Sequence, residues 1–470
     1  MRIYHYKILS LFCLISFATL FSSCANQEPP PGGPEDKTPP VIINLSPRDS
    51  TTNFSGNKLS FEFDEYVNRR SFEEAFFISP APSSAPKFDW TGKSVDVIFD
   101  KGFDINKTYS VTINRDFKDL NGNNTLTAPF NFAFTTGNKI ENASISGSLF
   151  GDDLSRIIVS CYLLPNAEPD KKKGDYITQP DLNGNYTFRN LSPGTYRVFV
   201  IRDESRDQLF NKEIDKIAIP YKDAVLERDS AVMNLNFLLS SPILDTRAQT
   251  LYNGLTRDTT GSIYSSIKPG DLVPEELNVY FYLKNKKITK SDFADKLTLK
   301  ESFSGKNVKI AFNWINDSLV NIFSAEKLEL RKDYEFNAPG VGTGDNRINY
   351  KLNFRTVAEK DVSNVMLKIN LPKEEVPSEN PSGKNIIFVL INASNIFVRY
   401  GGTISDSGSV QIKNVPLGDY KVFAYEDAND NGNYDYGTLS PFEYAERFYY
   451  SKGPVRITRG VGDFVVEVGM

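Results

Sequence analysis

Histidine is all but missing from this chain: one of 470 residues is His, three are Cys, two are Trp and four are Met. His5 sits in an apolar leader, and removal of that leader would leave no imidazole in the mature chain. That excludes Ser-His-Asp and Cys-His nucleophiles, His-ligated zinc and His general-base chemistry. Clusters of Lys and Arg are also missing. With 54 basic against 59 acidic residues the formal net charge is -5, and it becomes about -7 once Arg2 and Lys7 leave with the leader. Such a chain has no electrostatic footprint for nucleic acid. Long Leu/Ala/Glu/Lys stretches at helical spacing are absent, whereas Phe (34) and Tyr (23) are plentiful. Aromatic enrichment suits pleated, half-buried surfaces and predicts an all-β protein. At about 100 to 150 residues per domain, the length provides for roughly three to five domains.

The N-terminus carries the most specific signal. Arg2 and Lys7 precede a mostly apolar stretch from Ile8 to Phe21, followed by Ser22-Ser23-Cys24. A short positive region, an apolar stretch and small residues at the cut describe a secretory signal, too short for a membrane span. Cys directly after two serines resembles the bacterial lipoprotein box, in which Cys24 becomes the diacylated N-terminal residue. The resemblance implies a signal peptide over 1–23, attachment to a membrane through N-terminal lipid, and an outer-membrane or cell-envelope location. It leaves the periplasmic and surface faces both open. Residues 24–36 include Pro29-Pro30-Pro31-Gly32-Gly33-Pro34, a composition that extends as a tether and packs no core. With Cys13 in the leader and Cys24 lipidated, only Cys161 remains, so no intradomain disulfide forms. Its setting, Ile157-Ile158-Val159-Ser160-Cys161-Tyr162, reads as a buried strand thiol.

Internal repetition organises the rest. Asn185-Tyr186-Thr187-Phe188 through Tyr196-Arg197-Val198-Phe199 aligns without a gap on Ser409-Val410-Gln411-Ile412 through Tyr420-Lys421-Val422-Phe423, an offset of 224. Trp90 falls on Trp314 at the same offset, and Tyr109 matches Tyr334 with a slip of one. The chain therefore reads as A-B-A'-B', two copies of a two-domain unit. Leu59 to Phe63, Val95 to Phe99 and Tyr109 to Ile113 alternate apolar and polar residues, as strands do. Helix signals are confined to Arg70 to Ala75 and Ser291 to Lys296.

These residues support a family resemblance. Lys37-Thr38-Pro39-Pro40-Val41-Ile42, Phe61-Glu62-Phe63-Asp64-Glu65-Tyr66-Val67, Ile78-Ser79-Pro80 and Phe132-Ala133-Phe134-Thr135-Thr136 together resemble the SbsA-type bacterial Ig-like domain over residues 37–137. Residues 242–358 look like a degenerate copy, with Phe281-Tyr282-Leu283-Lys284 where the acidic stretch should stand. Segments 138–241 and 359–470 resemble the prealbumin-like, carboxypeptidase-regulatory type of β-sandwich. The whole is similar to a Bacteroidota cell-envelope lipoprotein of Ig-like architecture. The resemblance implies a non-catalytic structural, scaffolding or protein-binding module whose partner is an envelope protein or a glycan. The rivals are a carbohydrate-binding lipoprotein of a polysaccharide-uptake system and a hydrolase using carboxylates alone.

One constellation has the spacing of a metal site. Asp427-Ala428-Asn429-Asp430-Asn431-Gly432-Asn433-Tyr434-Asp435 puts side-chain oxygens at alternate positions of a tight turn, with Gly at the sixth, as in a calcium loop. The expected calcium ligands are Asp427, Asn429, Asn431 and Asp435; Thr438 stands where a bidentate Glu would close such a loop. The competing reading is a polar surface turn. In B the matching run, Asp203 to Asn211, keeps acids at its first and fifth positions and loses the Gly. Asp64 and Glu65 read as a solvated strand end, because neighbouring strand residues point to opposite faces. Trp90 and Trp314 read as core positions, with sugar stacking as the alternative.

Overall fold

The computed structural model describes residues 35–151, 154–239, 255, 262–369, 385–395, 398–404, 408–451, 453–459 and 464–468. The leader and Cys24 lie outside these residues. No helix among them is long and apolar enough to cross a membrane. The architecture is all-β, a series of β-sandwiches.

Domain A contains β1 (Ile42–Ser46), β2 (Lys58–Phe63), β3 (Phe76–Ser79), β4 (Pro86–Thr91), β5 (Ser94–Phe99), β6 (Thr108–Ile113) and β7 (Phe130–Thr135), with helix α1 (Arg69–Ala75) after β2. Its sheets run β1-β2-β5-β4 and β3-β6-β7. Alternation along β2 and β5 sends Leu59, Phe61, Phe63, Val95, Val97 and Phe99 into the core. On the outer face Asp96 accepts from Lys58 and Ser60 at 2.7 and 2.6 Å. Asn68 caps α1 by accepting from the Ser71 N–H at 3.1 Å. The helix thereby places Phe72, fully buried, edge-on to both Phe61 and Phe63.

Domain B contains β8 (Ala143–Phe150), β9 (Ile157–Leu163), β10 (Tyr176–Thr178), β11 (Asn185–Leu191), β12 (Gly194–Arg202), β13 (Lys216–Ala218), β14 (Ala224–Leu226), β15 (Ala231–Val232) and β16 (Phe237–Leu238). One sheet runs β10-β9-β12-β13 with β14 also on β12; the other joins β11, β8, β15 and β16. Cys161 on β9 is fully buried in this core.

The second half repeats both plans. Domain A' contains β17 (Ile263–Ser265), β18 (Leu272–Val273), β19 (Asn278–Leu283), β20 (Thr298–Glu301), β21 (Asn307–Val308), β22 (Ile310–Trp314), β23 (Leu319–Ser324), β24 (Asp333–Val341) and β25 (Ile348–Thr356), with helix α2 (Lys290–Lys296). Its β17-β19-β23-β22 sheet has the order of A, and β20-β24-β25 repeats β3-β6-β7, extended by β21 and β18. Corresponding tyrosines confirm the match: Tyr109 Oη accepts from Asp104 N at 2.9 Å and Tyr334 Oη from Glu329 N at 3.0 Å. Domain B' contains β26 (Val362–Ile369), β27 (Ile386–Asn392), β28 (Arg399–Ile404), β29 (Ser409–Pro416), β30 (Gly418–Glu426), β31 (Phe448–Tyr450), β32 (Val455–Ile457) and β33 (Phe464–Val468). Its sheets, β28-β27-β30-β31 with β32 also on β30, and β29-β26-β33, follow B, except that β33 alone stands where B has β15 and β16.

B and B' are joined through the outer faces of their larger sheets, which explains the unbroken apolar runs of β12 and β30. On β12, Val198 and Val200 enter the B core while Phe199 and Ile201 point out, into a cluster with Phe442, Leu439 and Ala445 of B'. On β30, Val422 and Ala424 face the B' core, while Phe423 and Tyr425 pack outward against Leu238 and Phe150 of B. A strand covered on both faces needs apolar residues at every position, not every second one.

Candidate functional site

The Asp427 loop begins where β30 ends, and its shape is set by two buried acids. Asp427, 4% exposed, accepts from the N–H groups of Asn431 and Gly432 at 3.1 and 2.9 Å. Glu446, 7% exposed, receives the N–H of Ala428 at 2.8 Å on one oxygen and that of Asp435 at 3.1 Å on the other. Burial pushes the Glu446 carboxyl up, with Asp435 and Asp427 adding like charge and the two backbone N–H groups opposing the rise. Gly432 occupies φ 76°, the left-handed region that favours glycine. Asn429 and Asn431 both donate their amide nitrogens to one oxygen of Asp435, at 2.7 and 2.9 Å. All four sequence-predicted ligands thus lie in one turn, and two of them converge on a single oxygen of a third. For a hard cation to take oxygens from all of them, both amides would have to turn over and give up the N–H groups of Asn431 and Asn433 that Asn429 Oδ1 and Asn431 Oδ1 accept at 3.1 and 2.7 Å.

Glu446 was not found from sequence. It fixes the loop by accepting two of its N–H groups, and it sits outside any loop-length window. The B copy shows the same scaffold: Asp203 accepts from Asp207 N and Gln208 N, and Asp215 from Glu204 N and Asn211 N. Each of these donors lies 224 positions before its counterpart, but Asp215 does not, so an ungapped alignment passes over the second acid. The cause is an insertion. Four positions separate Asn211 from Asp215, and eleven separate Asp435 from Glu446.

The extra residues form a strap across B. Leu439, Phe442 and Ala445 pack on Ile158, Tyr162, Phe199 and Ile201, and Ala445 N donates to Pro220 O at 3.1 Å. The Arg197 guanidinium lies 3.7 Å from the centre of the Phe442 ring and donates twice to Asp223, at 2.7 Å each. Tyr444 Oη donates to the same carboxylate at 2.7 Å. The loop that carries the metal-type residues is therefore continuous with the segment that joins the two halves.

A second acid cluster lies in A. Asp36, Glu65 and Asp119 bring carboxylate oxygens within 4.8 Å of one another. Asp64 and Glu65 are not strand residues; β2 ends at Phe63, and the bend that follows sends them apart. Asp64 accepts the Val41 N–H at 2.8 Å, whereas Glu65 is half-buried beside Asp119 and Asp36. The solvated strand end expected from sequence therefore holds for Asp64 alone. Burial first, then the like charges of Asp119, Asp36 and Asp64, raise the Glu65 carboxyl, and Lys93 opposes them. Asp119 is fully buried, with one oxygen accepting from Gly122 N and Asn124 N and the other from the Asn124 amide. Asn124 also donates to Asp36 O at 3.1 Å, which fastens the start of the domain to this turn.

The tryptophans sit at the margin of the cores, not at their centres. Trp90 on edge strand β4 is half-buried, edge-on to Phe72, with Arg69 5.4 Å from its ring and Glu73 accepting its N–H at 2.8 Å. Trp314, on the corresponding strand β22, is likewise half-buried, with Lys290 at 5.5 Å. In both copies the cation is the first residue of the short helix. A sugar stacking on either ring would have to displace it.

Residues 36–136 match the bacterial Ig-like domain family. No curated protein matches the chain. Among solved structures, the chain is similar to BcpA, the major pilin subunit of Bacillus cereus, at 10% identity over 70% of this chain and 99% of that one, with a TM-score of 0.16. It is similar to the surface layer protein SbsC, domains 1-6, at 10% identity over 91% and 68%, TM-score 0.17. For an L,D-transpeptidase from Mycobacterium smegmatis the values are 15%, 43% and 90%, with a TM-score of 0.17.

Proposed function

We propose that this is a lipid-anchored cell-envelope protein of Bacteroidota type, a non-catalytic scaffold that holds β-sandwiches in a fixed arrangement and presents them to an envelope partner. The observation that carries the reading is the B–B' junction: both large sheets bury their outer faces against the other half of the chain. That is how a chain without disulfides or helical bundles stiffens a multidomain body. Calcium in the loop of Asp427, Asn429, Asn431 and Asp435, with Glu446, would brace the turn from which the strap departs.

The rival functions have less support. A glycosidase needs two acids facing a cleft, whereas in the cluster of Asp36, Glu65 and Asp119 the last is fully buried with both oxygens accepting hydrogen bonds. A glycan-binding surface built on tryptophan meets rings already covered by Arg69 and Lys290. The anchor is tested by Cys24→Ala. The variant should move from the membrane fraction to the soluble fraction, and unchanged fractionation would refute the anchor.

A further inference from the structure

The two halves of the molecule differ at the seam between their domains. In the first half, the edge strands of both B sheets are covered by A: β10 lies against β3 and β11 against β6. Gln179 donates to Asp116 at 2.8 Å, Leu182 N donates to Thr127 O at 3.3 Å, and Phe77 of β3 packs into the cluster on β9 and β12. In the second half the corresponding edge strands, β28 and β29, border a cavity of about 1200 Å³ whose other wall is the 271–278 and 321–327 segments of A'. Among the described residues nothing pairs with the outer edge of β28. Among the described residues A' and B' meet around this space, as where Asn414 donates to Glu275 at 3.0 Å and Asn395 to Ser266 O at 3.4 Å.

We propose that this seam binds an extended segment of a partner protein, which adds to B' as a strand along β28. An edge strand offers alternate N–H and C=O groups that a second extended backbone satisfies; in the first half β3 lies beside the corresponding edge without pairing to it. The walls suit a backbone. Gly401 and Gly402 are exposed on β28 and leave room for close approach. Charge sets the preference: five carboxylates and three cations line the space, so a segment with Lys or Arg fits better than an acidic one. The scaffold proposed above stands whether or not the seam is filled.

The test uses the full chain and a phage-displayed library of linear dodecapeptides. Peptides enriched on the wild type are then synthesised and titrated against Thr403→Trp and Ala325→Trp, which fill the cavity from opposite walls at exposed positions. Melting temperatures show which variants fold. The expected result is a basic, extended peptide whose affinity falls at least about tenfold in each folded filler, and whose binding protects β28 amides from hydrogen exchange. The proposal is overturned if no enriched peptide distinguishes wild type from the fillers, or if protection falls outside β28. It is equally overturned if neutral oligosaccharides, tested as hexaoses of cellulose, xylan and chitin, occupy the seam in place of peptides.

Discussion

Replacing Arg197 by Met removes the cation from the B–B' junction while keeping most of its packing volume. The side chains of Arg197 and Asp223 are 17% and 14% exposed, and the Arg makes two bonds of 2.7 Å to the carboxylate. Stripping a buried carboxylate of its partner costs about 3 to 5 kcal/mol. Here Asp223 retains the Tyr444 hydroxyl at 2.7 Å, which places the loss near the lower figure, about 3 kcal/mol. For a cooperative unit of two sandwiches, at about 2 to 4 °C per kcal/mol, the melting temperature should fall by about 6 to 12 °C. Differential scanning calorimetry measures this directly. The double variant Arg197→Met, Asp223→Leu leaves no orphaned charge and should recover most of the loss, with a coupling energy above about 1.5 kcal/mol. A single variant costing under about 1 kcal/mol, or a double variant as unstable as the sum of the singles, would refute the claim that this buried pair of B, on which Phe442 and Tyr444 of the strap rest, carries that energy.

Calcium should raise the melting temperature of the whole chain, by the equivalent of about 2.7 kcal/mol at a hundredfold excess over Kd. Glu446→Gln should shrink that response, and an unchanged melting temperature in wild type would dispose of the metal. Glu65 has its folded pKa raised from 4.5, so its contribution to stability is full below that value and is lost as pH rises through the folded one. Glu65→Gln should therefore be more stable than wild type at pH 7 and equal to it near pH 4; a gain at both pH values would contradict the linkage. Cys161 is fully buried, and its thiol is pushed well above the ordinary range, first by desolvation. It should react with a thiol reagent only after unfolding, so labelling of the native chain would show that β9 is not covered as described.

Period-2 alternation was enough to place strands such as β2 and β5, because one face of each is buried and the other wet. The duplication was equally legible, since a core tyrosine such as Tyr109 or Tyr334 recurs wherever the sandwich recurs. Alternation alone could not reveal what covers a strand on its second face. Phe199 and Phe423 are apolar in the same way as the core residues beside them, and only the fold shows that they meet the other half of the chain. The Asp427 loop was legible from its spacing, but Glu446 was hidden by the longer connection, since a ligand brought in by tertiary structure leaves no periodic trace. Glu65 departs from expectation for a related reason: it lies two residues past the end of β2, where strand alternation no longer decides which way a side chain points.

The strap also bears on where the adhesive surfaces of the two copies go. A contact in which one module's loop seats on a different surface of its neighbour is head-to-tail, and between identical copies such a contact runs on into an open filament unless the geometry closes. Here the copies have diverged. The insertion before Glu446 occurs in the second copy only, and it lies on the face that carries Arg197, where the second copy has Lys421. The outer face of the second copy is in turn taken by Phe150 and Leu238 of the first. Both adhesive surfaces are consumed within one polypeptide, where the effective concentration is of millimolar order and leaves little chance for a second molecule. The unequal connection makes the pair asymmetric: each copy's outer face is closed by a different part of the other.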